Sequence, residues 1–317
     1  MSVDRNQITP EISQEANRGW QHCTRLQHEG VRLIVTNSVG PRIIALSLGA
    51  GPNLFKEFED QLGRTSGDDY LLFGGHRLWA APEAFPRSYA HDFNPVTVVP
   101  RPRGALFQQQ EEPENRIRKA IEVEFLAGRR FRLVHSISNL NPWTIELAPW
   151  AMSLMAAGTR AIVPQEPHGS HPEHLAPART LTLWPYTRMD DPRVQWGSRF
   201  IQVQEDSTIN AKFKLGIQNR QRWVATWTHG VLLIRTFGFD PSCNYPDMGC
   251  NVELFTMPGF LEMETLGPLQ RLAPGATARH EEIWHVRECP TFPDEHSALA
   301  ELISACLPDL QFPDTRT

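Results

Sequence analysis

The chain consists largely of short β-rich runs separated by turns that contain glycine, proline or asparagine. Residues 31–35 and 42–48 are the first two runs, and the turn cluster at 37–41 between them predicts a hairpin. Similar runs follow as far as residue 286, with no βαβ alternation and no fixed repeat. This pattern is typical of a large antiparallel sandwich, so the sequence predicts an all-β fold.

The two ends of the chain depart from that pattern. Residues 11–28 are predicted to form one short helix or a covering arm. Residues 294–306 are predicted to form a short C-terminal helix with Asp294 as its N-cap. Its apolar stripe consists of Ala298, Leu299, Leu302, Ile303 and Cys306. No linker rich in proline, glycine and serine divides the chain, so residues 1–317 are predicted to be a single domain with 1–28 as its N-terminal arm.

Charge and composition argue against several classes of partner. The net charge is -5 and no run of lysine and arginine occurs, so neither nucleic acid nor a membrane is an expected partner. The first residues lack an apolar signal core and no apolar stretch could span a bilayer, which predicts a cytoplasmic location. The five scattered cysteines predict reduced thiols. Monomer and homodimer both remain open.

The segment 68–96 concentrates side chains that could carry chemistry. Gly74 and Gly75 end an apolar run, and three prolines follow, which predicts an irregular, stiff loop rather than a helix or a central strand. Loops of this kind often present functional groups. The alternative is a solvated surface loop. The polar and aromatic residues of this segment are His76, Arg77, Trp79, Glu83, Arg87, Tyr89, His91, Asp92 and Asn94.

Several of these side chains match the needs of a sugar site. Trp79 offers a face for stacking, Arg77 offers paired donors, and Glu83 and Asp92 could accept hydrogen bonds from hydroxyls. His91 has the pKa range of a general acid near neutral pH. The alternative for Trp79, and equally for His76 beside the glycines, is a core position beneath the loop. The expected partner is a small carbohydrate.

Two further strands carry charged pairs. In the run 260–266, polar and apolar residues alternate, so Glu262 and Glu264 share one face. Paired carboxylates can raise the pKa of one of them and provide a base, although a solvated strand face is an equal alternative. Lys212 and Lys214 also share a face and are interpreted as surface charges or as ligand donors.

The loop 165–178 has the composition of a metal site. Its histidines are spaced three residues apart, but its prolines and glycine prevent the regular helix that would bring the rings together. We therefore expect no metal and no cofactor, and interpret the loop as the lining of a polar pocket that Glu166 or His168 reaches. No nucleotide-binding or hydrolase motif is present. The three spaced histidines are His168, His171 and His174.

Three motifs resemble those of one superfamily. GGHRLWAAPE at 74–83, YPDMGCNVELFT at 245–256 and LEMETLGP at 261–268 are similar to a bacterial branch of the galactose-mutarotase-like proteins, and the resemblance extends over about residues 31–286. It implies a β-supersandwich with a carbohydrate site on the concave face of its larger sheet. The aldose 1-epimerases of this fold interconvert sugar anomers with a histidine acid and a glutamate base.

The resemblance also implies roles for particular residues. Glu264 in Met263-Glu264-Thr265 matches the catalytic base. The acid is His76 or His91, since His91-Asp92-Phe93 loosely resembles a His-Gly-Phe motif with aspartate in place of glycine. Trp150 follows Pro149 where a second histidine motif would stand. Together with the chemistry of the side chains described above, this gives Arg77, Trp79, Glu83, Asp92, Trp150, Glu166 and Lys214 as the predicted substrate-binding residues.

Three functional hypotheses follow from these patterns. The first is an epimerase that moves protons to and from the anomeric centre. The second is a carbohydrate-binding protein without catalysis, which the missing second histidine motif favours. The third is a metal-dependent isomerase that uses the histidines of the loop 165–178.

Overall fold

The architecture is two antiparallel sheets packed face to face, seen in a computed structural model that describes residues 8–293 and 295–307. The all-β prediction is confirmed. The larger sheet has the order β1 (Glu11–Asn17), β2 (Trp20–His28), β3 (Val31–Thr36), β4 (Arg42–Leu48), β5 (Gly75–Ala81), β10 (Ile145–Met155), β19 (Phe260–Leu266), β18 (Val252–Met257), β15 (Phe213–Ile217) and β12 (Leu181–Leu183), with β20 (Gln270–Leu272) paired to β10.

The second sheet has ten strands, and the longest of them lie at its centre. Its order is β13 (Val194–Trp196), β14 (Phe200–Gln204), β11 (Arg160–Pro164), β16 (Trp223–Thr228), β17 (Val231–Phe237), β21 (Thr277–Glu288), β9 (Arg130–Asn139), β8 (Ile117–Leu126), β7 (Gly104–Gln108) and β6 (Thr97–Arg101). The predicted hairpin of residues 31–48 is present as β3 and β4.

The main core lies between the two sheets and follows the two-residue period of the strands. Leu261 and Met263 of β19 point into this core together with residues such as Leu133 of β9. Glu262 and Glu264 therefore lie on the opposite, outer face of the larger sheet, as the alternation predicts. Each fully buried leucine or methionine contributes about 1.5–3 kcal/mol to folding.

The C-terminal helix α2 (His296–Cys306) covers the outer face of the second sheet. Leu299, Ala300 and Ile303 pack there against the strands, whereas Ala298 is exposed, contrary to the predicted stripe. The proposed N-cap Asp294 lies outside the described residues. Within the described part of the chain, no helix is long and apolar enough to cross a membrane.

The prediction for residues 11–28 was wrong, because they form the strands β1 and β2 at the edge of the larger sheet. Arg18 and Gly19 both have positive φ, at 43° and 92°, and this pair turns the chain back on itself between the strands. Pairing with β3 satisfies the backbone of β2, which a free helix would have satisfied internally.

The prediction of an irregular loop after the glycines was also wrong for residues 75–81. They form β5, a central strand between β4 and β10. Glycine is required at positions 74 and 75 because other parts of the backbone pass close to them. Added β-carbons would lie 1.9 Å from the carbonyl oxygen of Lys56 and 2.3 Å from that of Ile43, respectively. The first proline, Pro82, comes only after the strand has ended, so its missing amide proton removes no hydrogen bond between the strands.

Candidate functional site

The outer face of the larger sheet carries a row of polar and aromatic side chains at its centre. Trp79 on β5 is the direct neighbour of Trp150 on β10. Glu264 on β19 follows and lies opposite Glu253 on β18. Lys214 on β15 completes the row. Strand alternation brings these residues to one face from five strands that lie between residues 75 and 266 of the chain.

A cavity of about 420 Å³ opens over this row. Trp150 and Lys214 belong to the sheet itself, and the segment after β5 provides one wall. The other wall comes from Trp184 and from Asp247, which lies in the single turn α1 (Pro246–Gly249). The complete lining is Glu83, Ala84, Phe85, Tyr89, Trp150, Trp184, Lys214 and Asp247.

Lys214 is a fixed cation between acids and aromatic rings. Its Nζ lies 2.7 Å from Glu253 Oε2 and 3.4 Å from Glu264 Oε2. The same nitrogen is 4.8 Å from the ring centre of Trp150 and 4.7 Å from that of Trp184. Burial acts to lower the pKa of Lys214, but the carboxylates of Glu264 and Glu253 outweigh it and raise that pKa. The side chain therefore stays protonated.

Glu264 lies beneath the cavity and is not part of its lining. Its Oε2 accepts a hydrogen bond of 2.7 Å from Trp150 Nε1, while its Oε1 accepts none from the residues that the structure describes. Burial, followed by the charge of Glu264, raises the pKa of neighbouring Glu262 to about 7. Burial also raises the pKa of Glu253 well above its usual range despite Lys214. The cluster thus holds acids of unequal strength.

The rim of the cavity contains two further acids. The hydroxyl of Tyr89 donates to Glu83, and burial raises the pKa of Tyr89 to about 12. Asp247 has φ 50° and is followed by Met248 with φ 64°. The carbonyl of Asp247 accepts a hydrogen bond from the Cys250 thiol at 3.0 Å. Consecutive left-handed residues other than glycine are costly and occur mostly at functional sites.

Three predicted binding residues lie behind the main cavity rather than in it. The guanidinium of Arg77 lies 4.3 Å from the ring centre of Trp79 and donates to the hydroxyl of Tyr70 at 2.7 Å. Asp92 accepts a hydrogen bond of 2.8 Å from Arg42. Arg77, Trp79 and Asp92 line a separate space of only about 10 Å³. Trp79 supports the site from behind, since its ring centre lies 5.3 Å from that of Tyr89 and 5.4 Å from that of Trp150.

The predicted histidines are not at the cavity. His76 lies on the inner face of β5, where its Nδ1 is 2.7 Å from Ser153 Oγ. His91 is exposed and packs against Phe93. Glu166 accepts a hydrogen bond from Gln221 at 3.0 Å and is not part of the lining. His76 is therefore placed for a structural role rather than as an acid that faces Glu264.

His76 belongs to a second polar cluster, buried between the sheets. Its Nε2 lies 2.7 Å from His135 Nε2, and His135 Nδ1 lies 3.3 Å from the carbonyl oxygen of His280. Because a carbonyl only accepts, His135 carries its proton on Nδ1, His76 donates from Nε2, and Ser153 donates to His76. Every ring nitrogen of this pair is paired in the neutral state.

The same cluster holds the three side chains best placed to bind a metal. Ligand atoms of His76, His135 and Glu282 all lie within 4.8 Å of one another. Glu282 already accepts hydrogen bonds from Thr265 at 2.8 Å and from Trp284 at 3.1 Å. The neutral hydrogen bonds account for the arrangement, so these residues do not require a metal. Among the described residues, the histidines of the loop 165–178 form no such group.

Comparisons with known proteins identify the fold. No family model and no curated protein matches this chain. A galactose mutarotase-like protein from Lactobacillus casei ATCC 334 has a TM-score of 0.53 at 10% identity, covering 84% of this chain and 100% of that chain. A galactose mutarotase-like protein from Clostridium acetobutylicum has a TM-score of 0.53 at 10% identity, covering 88% and 99%. This chain has the galactose-mutarotase-like fold.

A third similar structure extends this comparison. It is a galactose mutarotase related enzyme from Lactobacillus acidophilus, with a TM-score of 0.51 at 7% identity, covering 84% of this chain and 98% of that chain. At these identities the likeness establishes the galactose-mutarotase-like fold and assigns no role to any residue.

The sequence interpretation did not select several residues that line the cavity, Trp184 and Asp247 among them, nor Glu253, which lies beneath it. Trp184 comes from the segment after β12, Asp247 from the turn α1, and Glu253 from β18. Glu253 had a readable signal, since it alternates with Val252 and Leu254 as Glu264 does with its neighbours. Trp184 had none, because its position depends on a long-range pairing.

Proposed function

We propose that this protein binds a small carbohydrate in the 420 Å³ cavity on the outer face of its larger sheet. The observation that carries the proposal is the lining itself, which combines four aromatic rings with three charged side chains in one space. The aromatic residues are Phe85, Tyr89, Trp150 and Trp184. A cavity of this size falls within the range of small-molecule sites.

The lining offers both kinds of contact that a sugar ring needs. The apolar face of a pyranose could stack on the half-buried indole of Trp184 or on the exposed ring of Phe85. The carboxylates of Glu83 and Asp247 would accept hydrogen bonds from hydroxyls, and Lys214 would donate one. Tyr89 holds the carboxylate of Glu83 and Glu253 holds the ammonium of Lys214, so binding would order few of these side chains.

Ligand binding tests the proposal directly. Saturation-transfer NMR with a panel of monosaccharides is expected to give saturable binding of at least one sugar. Trp184→Ala should weaken that binding roughly tenfold, since it removes a stacking face. Trp143→Ala is the matched control, because Trp143 is 61% exposed and lies outside the lining. An equal loss in both variants, or no binding by the wild-type protein, would contradict a sugar site here.

Interconversion of sugar anomers is a second candidate function. It is favoured by the position of Glu264, whose carboxylate contacts two residues of the lining and has one oxygen without a hydrogen bond among the described residues. Within the part of the chain that the structure describes, no histidine lines the cavity, so the acid would have to be the hydroxyl of Tyr89 or the ammonium of Lys214. Because Glu264 lies beneath the cavity, the lining residues would also have to move to let the sugar reach Glu264.

Glu264→Gln separates the two functions. Glutamine keeps an oxygen that can accept the hydrogen bond from Trp150, so the fold and sugar binding should persist. If Glu264 is the base, the anomer exchange rate measured by NMR should fall roughly 100-fold to 10,000-fold. Sugar binding without any acceleration of exchange by the wild-type protein would leave the binding function alone.

A further inference from the structure

The charges that face the cavity are unevenly available to a ligand. Lys214 is the one cation among the described residues that line the cavity, and it is already paired with Glu253 at 2.7 Å and lies 3.4 Å from Glu264. Glu83 and Asp247 also line the cavity, and neither is paired with a cation there among the described residues. A ligand that enters therefore meets two carboxylates that are not paired with a cation, one of them hydrogen-bonded to Tyr89, and one cation whose charge is already balanced.

The aromatic lining adds to this asymmetry. The faces of aromatic rings carry partial negative charge and attract cations, most strongly when water is excluded. The indoles of Trp150 and Trp184 already hold the ammonium of Lys214 in this way. The ring of Phe85, which is 85% exposed at the cavity, remains available.

From these charges we propose that the cavity prefers a sugar that carries an ammonium group to a neutral sugar of the same shape, and that it rejects sugars that carry a phosphate or carboxylate. This inference rests on the proposed carbohydrate-binding function and adds the chemical class of the ligand. The ammonium group would lie between Glu83 and Asp247, and the ring would contact the aromatic walls.

The rejection of anions has its own physical reason. A phosphate would have to draw Lys214 away from Glu253 and Glu264, which would leave two buried carboxylates without their cation. Otherwise, the phosphate would lie beside Glu83 and Asp247 with like charges opposed. Both arrangements are unfavourable, and such negative elements commonly set the specificity of a site.

A charge series on one sugar tests the inference. Binding of D-glucose, D-glucosamine and D-glucose 6-phosphate is compared by NMR titration at low and at physiological ionic strength. We expect glucosamine to bind roughly threefold to tenfold more tightly than glucose, with an advantage that shrinks in salt, and the phosphate to bind least. Raising the pH until the amine loses its proton should abolish the advantage.

Two variants assign the effect to the cavity. Asp247→Asn and Glu83→Gln should each weaken the binding of glucosamine roughly threefold more than the binding of glucose, because each amide keeps an acceptor oxygen for hydroxyls but loses the charge that attracts the ammonium group. Asparagine tolerates the left-handed backbone of Asp247 as well as aspartate does, so this variant should fold. Asp60→Asn, at an exposed position outside the lining, removes the same charge and should have no effect.

The possible failures are distinct. If glucose binds and glucosamine has no advantage, or if the phosphate binds as tightly as glucose, the charge inference is wrong and the proposed binding function stands. If none of the three sugars binds, both are wrong. If the advantage persists in Asp247→Asn and Glu83→Gln, the ammonium group is recognised elsewhere and the inference is wrong.

Discussion

Two polar clusters lie on opposite faces of the same strands and differ in how completely they are paired. On the inner face, His76 and Thr265 belong to a network in which each ring nitrogen of His76 and each oxygen of Glu282 has a partner. On the outer face, the residues next in sequence are Arg77, which lies 3.8 Å from Glu262, and Glu264, which lies 3.4 Å from Lys214. There, Oε1 of Glu264 accepts no hydrogen bond within the described chain.

The difference favours a structural role for the inner cluster and supports the proposal that the outer cluster belongs to a ligand site. A buried polar network whose members are all satisfied rigidifies a core and gains nothing from a further partner. A charged cluster beneath an open cavity, with an unpaired oxygen and a carboxyl pKa raised to about 7 at Glu262, has the features of a functional site. The histidines, which are the most suggestive residues in the sequence, belong to the first kind.

Removal of the central cation should have the largest effect. Lys214→Met leaves Glu253 and Glu264 buried without a counter-charge, which should lower the free energy of unfolding by about 3–5 kcal/mol at pH 7.5. Urea denaturation measures this loss. Lys212→Met is the matched control, because Lys212 is exposed and lies two residues before Lys214, in the segment that leads into β15.

The pH dependence of this variant distinguishes charge from packing. Burial raises the pKa of Glu253 above its unfolded value even beside Lys214, so the folded variant takes up protons as the pH falls. Relative to the wild-type protein, Lys214→Met should therefore recover part of its stability between pH 7.5 and pH 5. A loss of equal size at both pH values would mean that the packing of the lysine chain, and not its charge, holds the row together.

The core network should show the opposite response to acid. Burial lowers the pKa of His280 to about 4 and that of His135 to about 3, below the ordinary value near 6.5. The unfolded chain therefore binds protons that the folded chain does not, and stability is lost as the pH falls from about 6.5 towards 4. Each such histidine should cost about 2 kcal/mol at pH 5 relative to pH 7.

His280→Gln tests that response one group at a time. Glutamine can still donate to Thr265, which His280 contacts at 2.7 Å, and it does not titrate. The difference in unfolding free energy between pH 7 and pH 5 should shrink by about 2 kcal/mol in this variant. An unchanged difference would show that His280 is not held neutral in the core, and the contrast between the two clusters would weaken.

Much of the fold could be predicted from local pattern, and the errors have identifiable causes. The hairpin of 31–48 and the two faces of β19 follow from alternation and turn residues alone. The strands β1 and β2 were missed because an edge strand is stabilised by pairing with a neighbour, β3, that its own sequence does not specify. The strand β5 was missed because Gly74 and Gly75 serve close packing there and not a turn.

Some of the residues selected from the sequence lie at the cavity and others do not, and the alternation of side chains between the two faces of a strand explains part of this difference. Glu83, Trp150, Lys214 and Glu264 were selected and do lie at or beneath the cavity. His76 was misplaced because a one-residue step along a strand changes the face, and the sequence of β5 does not indicate which face is the core. The walls beyond the central strands depend on long-range contacts, which no local pattern contains.

The smallest expected effect concerns the rim, and it separates binding from folding most cleanly. Phe85→Ala removes a ring that is 85% exposed at the cavity, so stability should stay within about 0.5 kcal/mol while sugar affinity falls by about 0.5–1.5 kcal/mol. Phe131→Ala in the core should do the reverse, with a loss of about 3–5 kcal/mol in unfolding free energy. Met189→Ala, at another exposed apolar position outside the lining, should change neither quantity. If Phe85→Ala instead destabilised the fold and left sugar affinity unchanged, the exposed ring would be a packing element, and the outer face would lose its distinction from the core.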